Sequence, residues 1–144
     1  LFDFGSDAFR TLRTDIWRAA FRVSAKADRS FIFTFHPEAT VEHFLVDELV
    51  SIVEGSGGSL FFVEWICSRA AILERLGMES RKQFGKLTDS ELYVTIDSEG
   101  GFEYGGLPSS DLRIDTESMT PTEAATAIVA AIDEQDKRRH LTRR

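Results

Sequence analysis

The chain of 144 residues has a single cysteine, Cys67, and only three prolines. One thiol excludes an internal disulfide and fits a reducing compartment. No apolar run approaches the roughly 20 residues of a membrane-spanning helix, and no N-terminal stretch has signal-peptide layout. A cytoplasmic protein with no membrane partner is the expectation. Basic charge is also scarce: 17 Lys+Arg face 24 Asp+Glu, a formal net charge of −7. Five of those cations sit in the terminal "KRRHLTRR" (137–144), so residues 1–136 hold 12 basic against 24 acidic side chains. Such a body repels a phosphodiester backbone, which argues against a nucleic-acid partner. The tail itself reads as a solvated helix end, or as a contact for an anionic partner.

Several kinds of chemistry are missing as motifs. His36, His43 and His140 are scattered without metal-ligand spacing, so no metal site of protein ligands is expected. Cys67 has no evident base, and a small buried residue is the simpler reading than a nucleophile. No strand–turn–helix serine elbow occurs. His36, before Pro37, is a general-base candidate or simply a hydrogen-bonded loop residue. A phosphate-binding P-loop needs glycines that let backbone N–H groups wrap the phosphates, then Lys and a hydroxyl at a helix start. "SRKQFGKL" (80–87) keeps only Gly85-Lys86, follows a helical pattern, and has Leu87 where the hydroxyl belongs. "GSGGS" (55–59) has glycines without a lysine.

What is present suits a globular fold: 42% apolar residues, 28% charged, and a length that fits one domain, expected over 1–136 with a basic tail at 137–144. Three runs have the character of buried strands: "FIFTF" (31–35), "SLFFVEW" (59–65) and "LRIDT" (112–116). Helical patterns separate them. Ser6 or Asp7 caps a first helix with Phe9, Leu12, Ile16, Ala20 and Val23 expected inward. A second follows Thr40, with Val41, Phe44, Leu45, Leu49, Ile52 and Val53 inward, and "GSGG" stops it. Ser68 caps a third that carries Ile72, Leu73 and Leu76 and ends at Gly77. Thr88 and Glu91 match a capping box for a fourth, and "TPTE" (120–123) opens the last, with Ala125, Ile128, Val129 and Ile132 expected inward. "SEGGFEYGGLPSSD" (98–111) reads as a glycine-rich loop. Alternation of this kind predicts an α/β fold, a parallel sheet with helices on both faces. Three strands make a thin sheet, and one or two more are expected to complete it.

Ligands in open α/β sheets bind beyond the carboxyl ends of the strands. Those ends carry Thr34, His36 and Glu38; Glu64, Cys67 and Ser68; and Asp115, Thr116 and Glu117. Two cationic groups stand out. Arg10, Arg13 and Trp17 share a helix face, as a stacked anion site would, or as an exposed face pairing with local acids. Arg75, Arg81, Lys82 and Lys86 face only Glu79 in sequence and follow the second strand, where arginine forks would neutralise a transferring phosphoryl group or merely be solvated.

The ordered set "LFDFGSDAF", "LRTDIWRAAFR", "FIFTFHPEAT", "LFFVEWIC" with "LERL", "SRKQFGKL", "LRIDT" and "TPTEAATAIVAAI" resembles the P-loop small-molecule kinase-like proteins, a bacterial group described as AAA-family ATPases or shikimate-kinase-like proteins. The likeness spans nearly the whole chain, and order and spacing carry it. It implies a three-layer P-loop kinase sandwich whose first strand, GxxGxGK[ST] loop, helix and second strand would precede "LFDFG", so this chain would be an N-terminally truncated fragment, inactive alone. It implies ATP and Mg²⁺ as cofactors and a small-molecule phosphoryl acceptor, for a monomeric enzyme. By resemblance, 75–88 is the lid; Arg81 is the lid arginine over the phosphates, with Lys86 a second catalytic candidate. Arg75 lies on the adenine side, and Thr116 and Glu117, after Asp115, border the adenine. Phe9-Arg10, with Arg13 close behind, resembles the pair that holds the acceptor carboxylate. "TFHPEA" departs from the glycine-rich strand exit of shikimate kinases, which sets shikimate itself aside. From outside that class stand a non-catalytic α/β module that binds an anion or nucleotide, and a P-loop ATPase with a macromolecular partner.

Overall fold

The computed structural model describes residues 2, 3, 5–83 and 86–142. Among these residues the chain is mixed helix and strand: six helices and a two-stranded parallel sheet, gathered into two compact units. The first unit is formed by 1–60 and 94–107, the second by 61–93 and 108–144.

In the first unit, α1 (Asp7–Lys26) starts at Ser6, whose hydroxyl accepts from the Phe9 N–H. α1 ends with Asp28 in the left-handed region (φ 51) and the Arg29 N–H bonded to the Ser24 carbonyl. α2 (Leu45–Gly55) packs on α1. It stops in a Schellman turn: Gly57 takes φ 80, and Gly57 and Gly58 donate to the carbonyls of Glu54 and Val53. The core is Phe21, Val41, Leu45 and Leu49, with Trp17, Phe33, Phe35, Ile52, Val53, Leu60 and Tyr104 packed against it.

Three expectations fail here. The stripe Leu12, Ile16, Ala20, Val23 faces solvent, while Thr14, Trp17 and Phe21 turn inward. α1 carries two apolar faces, and the aromatic one buries more area per residue. The predicted strand at 31–35 has no ladder partner and is not a strand. Its alternation survives, because Phe31, Phe33 and Phe35 meet Phe21 and Trp17 edge-on while Ile32 is 94% exposed. The start of α2 also moves: Phe44, not Thr40, precedes it, and Thr40 bonds Arg13.

In the second unit, β1 (Val63–Ile66) and β2 (Leu112–Asp115) pair in parallel, Val63 opposite Leu112 and Ile66 opposite Asp115. A parallel pair needs a crossover connection. Along the chain it holds α3 (Arg69–Leu76), α4 (Glu79–Gln83) and α5 (Ser90–Ser98), of which 90–93 belong to this unit and 94–98 to the first. Ser68 caps α3 through the Ala71 N–H and Gly77 closes it, as its sequence signals direct. α5 is capped by Asp89, whose carboxylate accepts from the N–H groups of Glu91 and Leu92; the box expected at Thr88 is displaced by one residue. α6 (Pro121–Thr142) opens as predicted, with Thr120 and Glu123 bonded reciprocally, and takes in most of the basic tail as helix. It packs on β2, and Leu76, Ile114 and Ala124 are buried; of the face expected inward, Ile128 is half-buried while Ala125, Val129 and Ile132 are exposed.

No helix among the described residues is long and apolar enough to cross a membrane.

Candidate functional site

The carboxyl ends of β1 and β2 bring together Ser68, Arg75, Asp115, Thr116 and Glu117. β1 and β2 end side by side because the Thr116 N–H extends the ladder to the Ile66 carbonyl (2.9 Å). The N-terminus of α3 follows β1 directly, and Arg75 lies two turns along it. Its guanidinium forks onto one residue: Nη1 donates to the Thr116 hydroxyl (2.7 Å) and Nη2 to the Thr116 carbonyl (2.8 Å). The Thr116 hydroxyl in turn donates to the Ile66 carbonyl (3.3 Å). Arg75 and Thr116, drawn from the sequence separately, are thus one hydrogen-bonded group.

Glu117 takes the other side of the same end. Its carboxylate accepts from the Ser68 backbone N–H (2.5 Å) and hydroxyl (3.1 Å), where the positive end of α3 favours an anion. Its own N–H bonds the Asp115 carboxylate (2.9 Å). The Ser68–Glu117 bond joins residues 49 apart. Ser68 and Glu117 were each legible as residues at a strand's carboxyl end, and Ser68 also as a helix cap, but nothing in the sequence signals the bond between them. Cys67 lies between, half-buried with a free thiol.

The segment 80–87 is partly helical. α4 holds Arg81 and Lys82, and Lys82 pairs with Glu79 one turn back (2.9 Å). Arg81 Nε donates to the Leu87 carbonyl (3.0 Å), and the Lys86 N–H to the Arg81 carbonyl (3.1 Å), so 81–87 closes on itself as a turn. The terminal nitrogens of Arg81 make no bond to a described residue, and the Lys86 side chain is exposed. Gly85, the glycine of the Gly85-Lys86 pair, lies outside the described residues, as does Phe84.

In the first unit, Arg10 and Arg13 part company. Arg10 is exposed and pairs with Asp7 (2.5 Å). Arg13 exposes only 10% of its side-chain surface. It ion-pairs with Glu38, bonds the hydroxyl (3.2 Å) and carbonyl (2.8 Å) of Thr40, and lies over Phe9 (5.6 Å) and Trp17 (5.2 Å). Its Nε is buried without a hydrogen-bond partner among the described residues. Arg13 is a latch between α1 and the 38–40 segment. His36 Nδ1 donates to the Pro37 carbonyl (2.8 Å) and its ring meets Phe102 edge-on, as a loop histidine would.

Perturbed acid–base groups lie elsewhere. The Arg18 hydrogen bond holds the Glu48 carboxyl below its ordinary value, opposed by desolvation. Bonds from the Thr120 N–H and hydroxyl do the same for Glu123. Burial raises the Tyr104 phenol, whose hydroxyl donates to the carbonyls of Glu42 and His43. Among the described residues no three His, Cys, Asp or Glu side chains stand together as metal ligands. A shallow, open depression along α6, between Thr122, Ala125, Val129 and Asp133, is lined by that helix alone and has no converging polar groups to fix a ligand.

Comparison with protein-family models, with curated proteins and with solved structures found no match.

Proposed function

We propose that the chain is the nucleotide-side part of an ATP-dependent phosphotransferase acting on a small molecule. The observation that carries this reading is the pairing of Arg75 with Thr116 across the carboxyl ends of two parallel strands. That is the edge at which open α/β sheets receive ligands. A guanidinium held by a fork keeps its plane fixed and so offers a flat face to a base.

Trp65 supports the larger sheet that the reading requires. It shares a sheet face with Ile114, its register partner, yet Trp65 is 56% exposed and Ile114 1%. A further strand beside β1, with its covering helix, would bury that ring. In the full three-layer sandwich of this proposal, such strands carry the GxxGxGK[ST] loop that residues 1–144 do not contain. ATP and Mg²⁺ depend on that loop, which supplies the lysine and the metal-binding hydroxyl. Arg81 is the cation that meets the phosphates, since among the described residues only its Nε is engaged; Lys86 is the second. Arg10 is the acceptor-side cation, because Arg13 is consumed by its own contacts. Glu117 borders the base.

Equilibrium titration of an ATP analogue into the protein bearing the loop tests this assignment. Arg75→Ala is expected to weaken binding about tenfold, in the range of a lost stacking contact on a base, with the melting temperature followed as a control. Unchanged affinity contradicts it. The alternative is a non-catalytic anion-binding module, for which the terminal nitrogens of Arg81, unengaged among the described residues, and the exposed Lys86 are the available cations. In that case inorganic phosphate raises the melting temperature of the 144-residue chain while ATP is not turned over.

A further inference from the structure

α1 uses one apolar face and leaves a second uncovered. Leu12, Ile16, Ala19 and Val23 recur at intervals of four, three and four, the repeat of a helix-pairing seam. At 100° per residue they lie opposite Thr14, Trp17 and Phe21, which the fold has buried. Leu12 is 39% exposed, Ile16 56% and Val23 67%. A stripe of this length on a 20-residue helix is unlike a scattered surface leucine.

Charges along one edge of the stripe say what fits it. Asp15 and Arg22 lie seven residues apart, flanking the seam on the same side. Asp15 makes no hydrogen bond or ion pair with a described residue, and Arg22 is 63% exposed with a loose contact to Glu48 (3.4 Å). A parallel pair of α1 helices would set Asp15 beside the partner's Ala20 and Arg22 beside the partner's Ala27, leaving both charges without a complement. An antiparallel pair related by a two-fold axis sets Leu12 against the partner's Val23 and Ile16 against the partner's Ala19. The same arrangement brings Asp15 beside the partner's Arg22, and by symmetry this happens twice. Ala19 leaves room for the close approach.

We propose that the exposed face of α1 is a homodimer interface, formed by antiparallel pairing of two copies of this chain through Leu12, Ile16, Ala19 and Val23. Asp15 and Arg22 set the direction. The dimer replaces the monomer expected from the sequence and is independent of the phosphotransferase reading. Four layers of side chains bury less than a standard interface, so association is weak and concentration-dependent.

Sedimentation equilibrium of the 144-residue chain, up to millimolar concentration, tests the proposal. The weight-average mass is expected to rise from 16.2 kDa towards twice that value. Ile16→Glu, at an exposed site, abolishes the rise while the helical circular dichroism is kept. Asp15→Arg and Arg22→Asp each weaken association at least tenfold, and an equimolar mixture of the two recovers it as a heterodimer. The proposal is overturned by a mass that stays at 16.2 kDa throughout. It is equally overturned if association ignores Ile16→Glu, or if the charge-reversed pair does not recover.

Discussion

At the scale of single residues, two arginines four positions or fewer from one another have opposite fates. Arg10 remains in solvent beside Asp7, a contact worth between nothing and about 1 kcal/mol. Arg13 is enclosed by Phe9, Trp17, Glu38 and Thr40. Removing one member of such a pair strands the other charge. Arg13→Ala is therefore expected to cost about 3 kcal/mol of unfolding free energy in urea, and Arg10→Ala less than about 1. Arg13→Lys would not rescue it, because an ammonium cannot fork onto Glu38 and Thr40 while stacking on two rings. Their shared helix face and the interest of the trio with Trp17 were legible in the sequence. The burial was not, since Glu38 and Thr40 reach Arg13 only through the tertiary fold.

Glu48 gives a second residue-level expectation. Its carboxyl is held low in the folded protein, first by the Arg18 hydrogen bond. A depressed folded value means that the stabilisation is present above the unfolded carboxylate range, near pH 4.3. It is lost as pH falls through the lower folded value. Thermal melting followed from pH 7 to pH 3 should show stability falling across that window. Glu48→Gln should be less stable at pH 7 and fall less steeply in the same window; an unchanged slope would contradict the role given to this pair.

At the scale of elements, local signals were reliable where they act within a few residues. Ser6, Ser68, Thr120 with Glu123, and the 55–58 stop all work as read. Thr88 fails because its neighbour Asp89 presents a better acceptor to the same N–H groups. One end was not anticipated: Asp28 closes α1 at φ 51, where a glycine would carry no Cβ penalty. Asp28→Gly is expected to gain about 0.5–1 kcal/mol, a rise of several degrees in melting temperature. A lower melting temperature would show that the aspartate side chain supports that turn. Faces and ladders were less legible, because each depends on what lies across from it. The aromatic alternation of 31–35 reads as a strand, yet the rings pack on α1 and the backbone finds no ladder. The regular stripe of α1 reads as its core face, yet Trp17 and Phe21 outcompete it.

At the scale of the whole molecule, the residues proposed for nucleotide chemistry fall in the unit of 61–93 and 108–144, and the buried arginine latch in the unit of 1–60 and 94–107. The mixed helix-and-strand class and a parallel arrangement were legible from apolar runs separated by helical patterns, whereas the pairing itself, and the place of the first strand at Val63–Ile66 at the end of the run 59–65, were not. The joining of Arg75 to Thr116 was not, because it depends on strand register. The central claim is that this edge works only with a phosphate loop that residues 1–144 do not contain. ATP turnover, measured side by side for the 144-residue chain and for the product of its reading frame extended upstream through a GxxGxGK[ST] loop, tests that most directly. The account predicts Mg²⁺-dependent phosphoryl transfer by the longer protein alone, and a kcat about 10² lower in its Arg81→Ala variant. Turnover by the 144-residue chain, or an Arg81→Ala variant as fast as its parent, would contradict it.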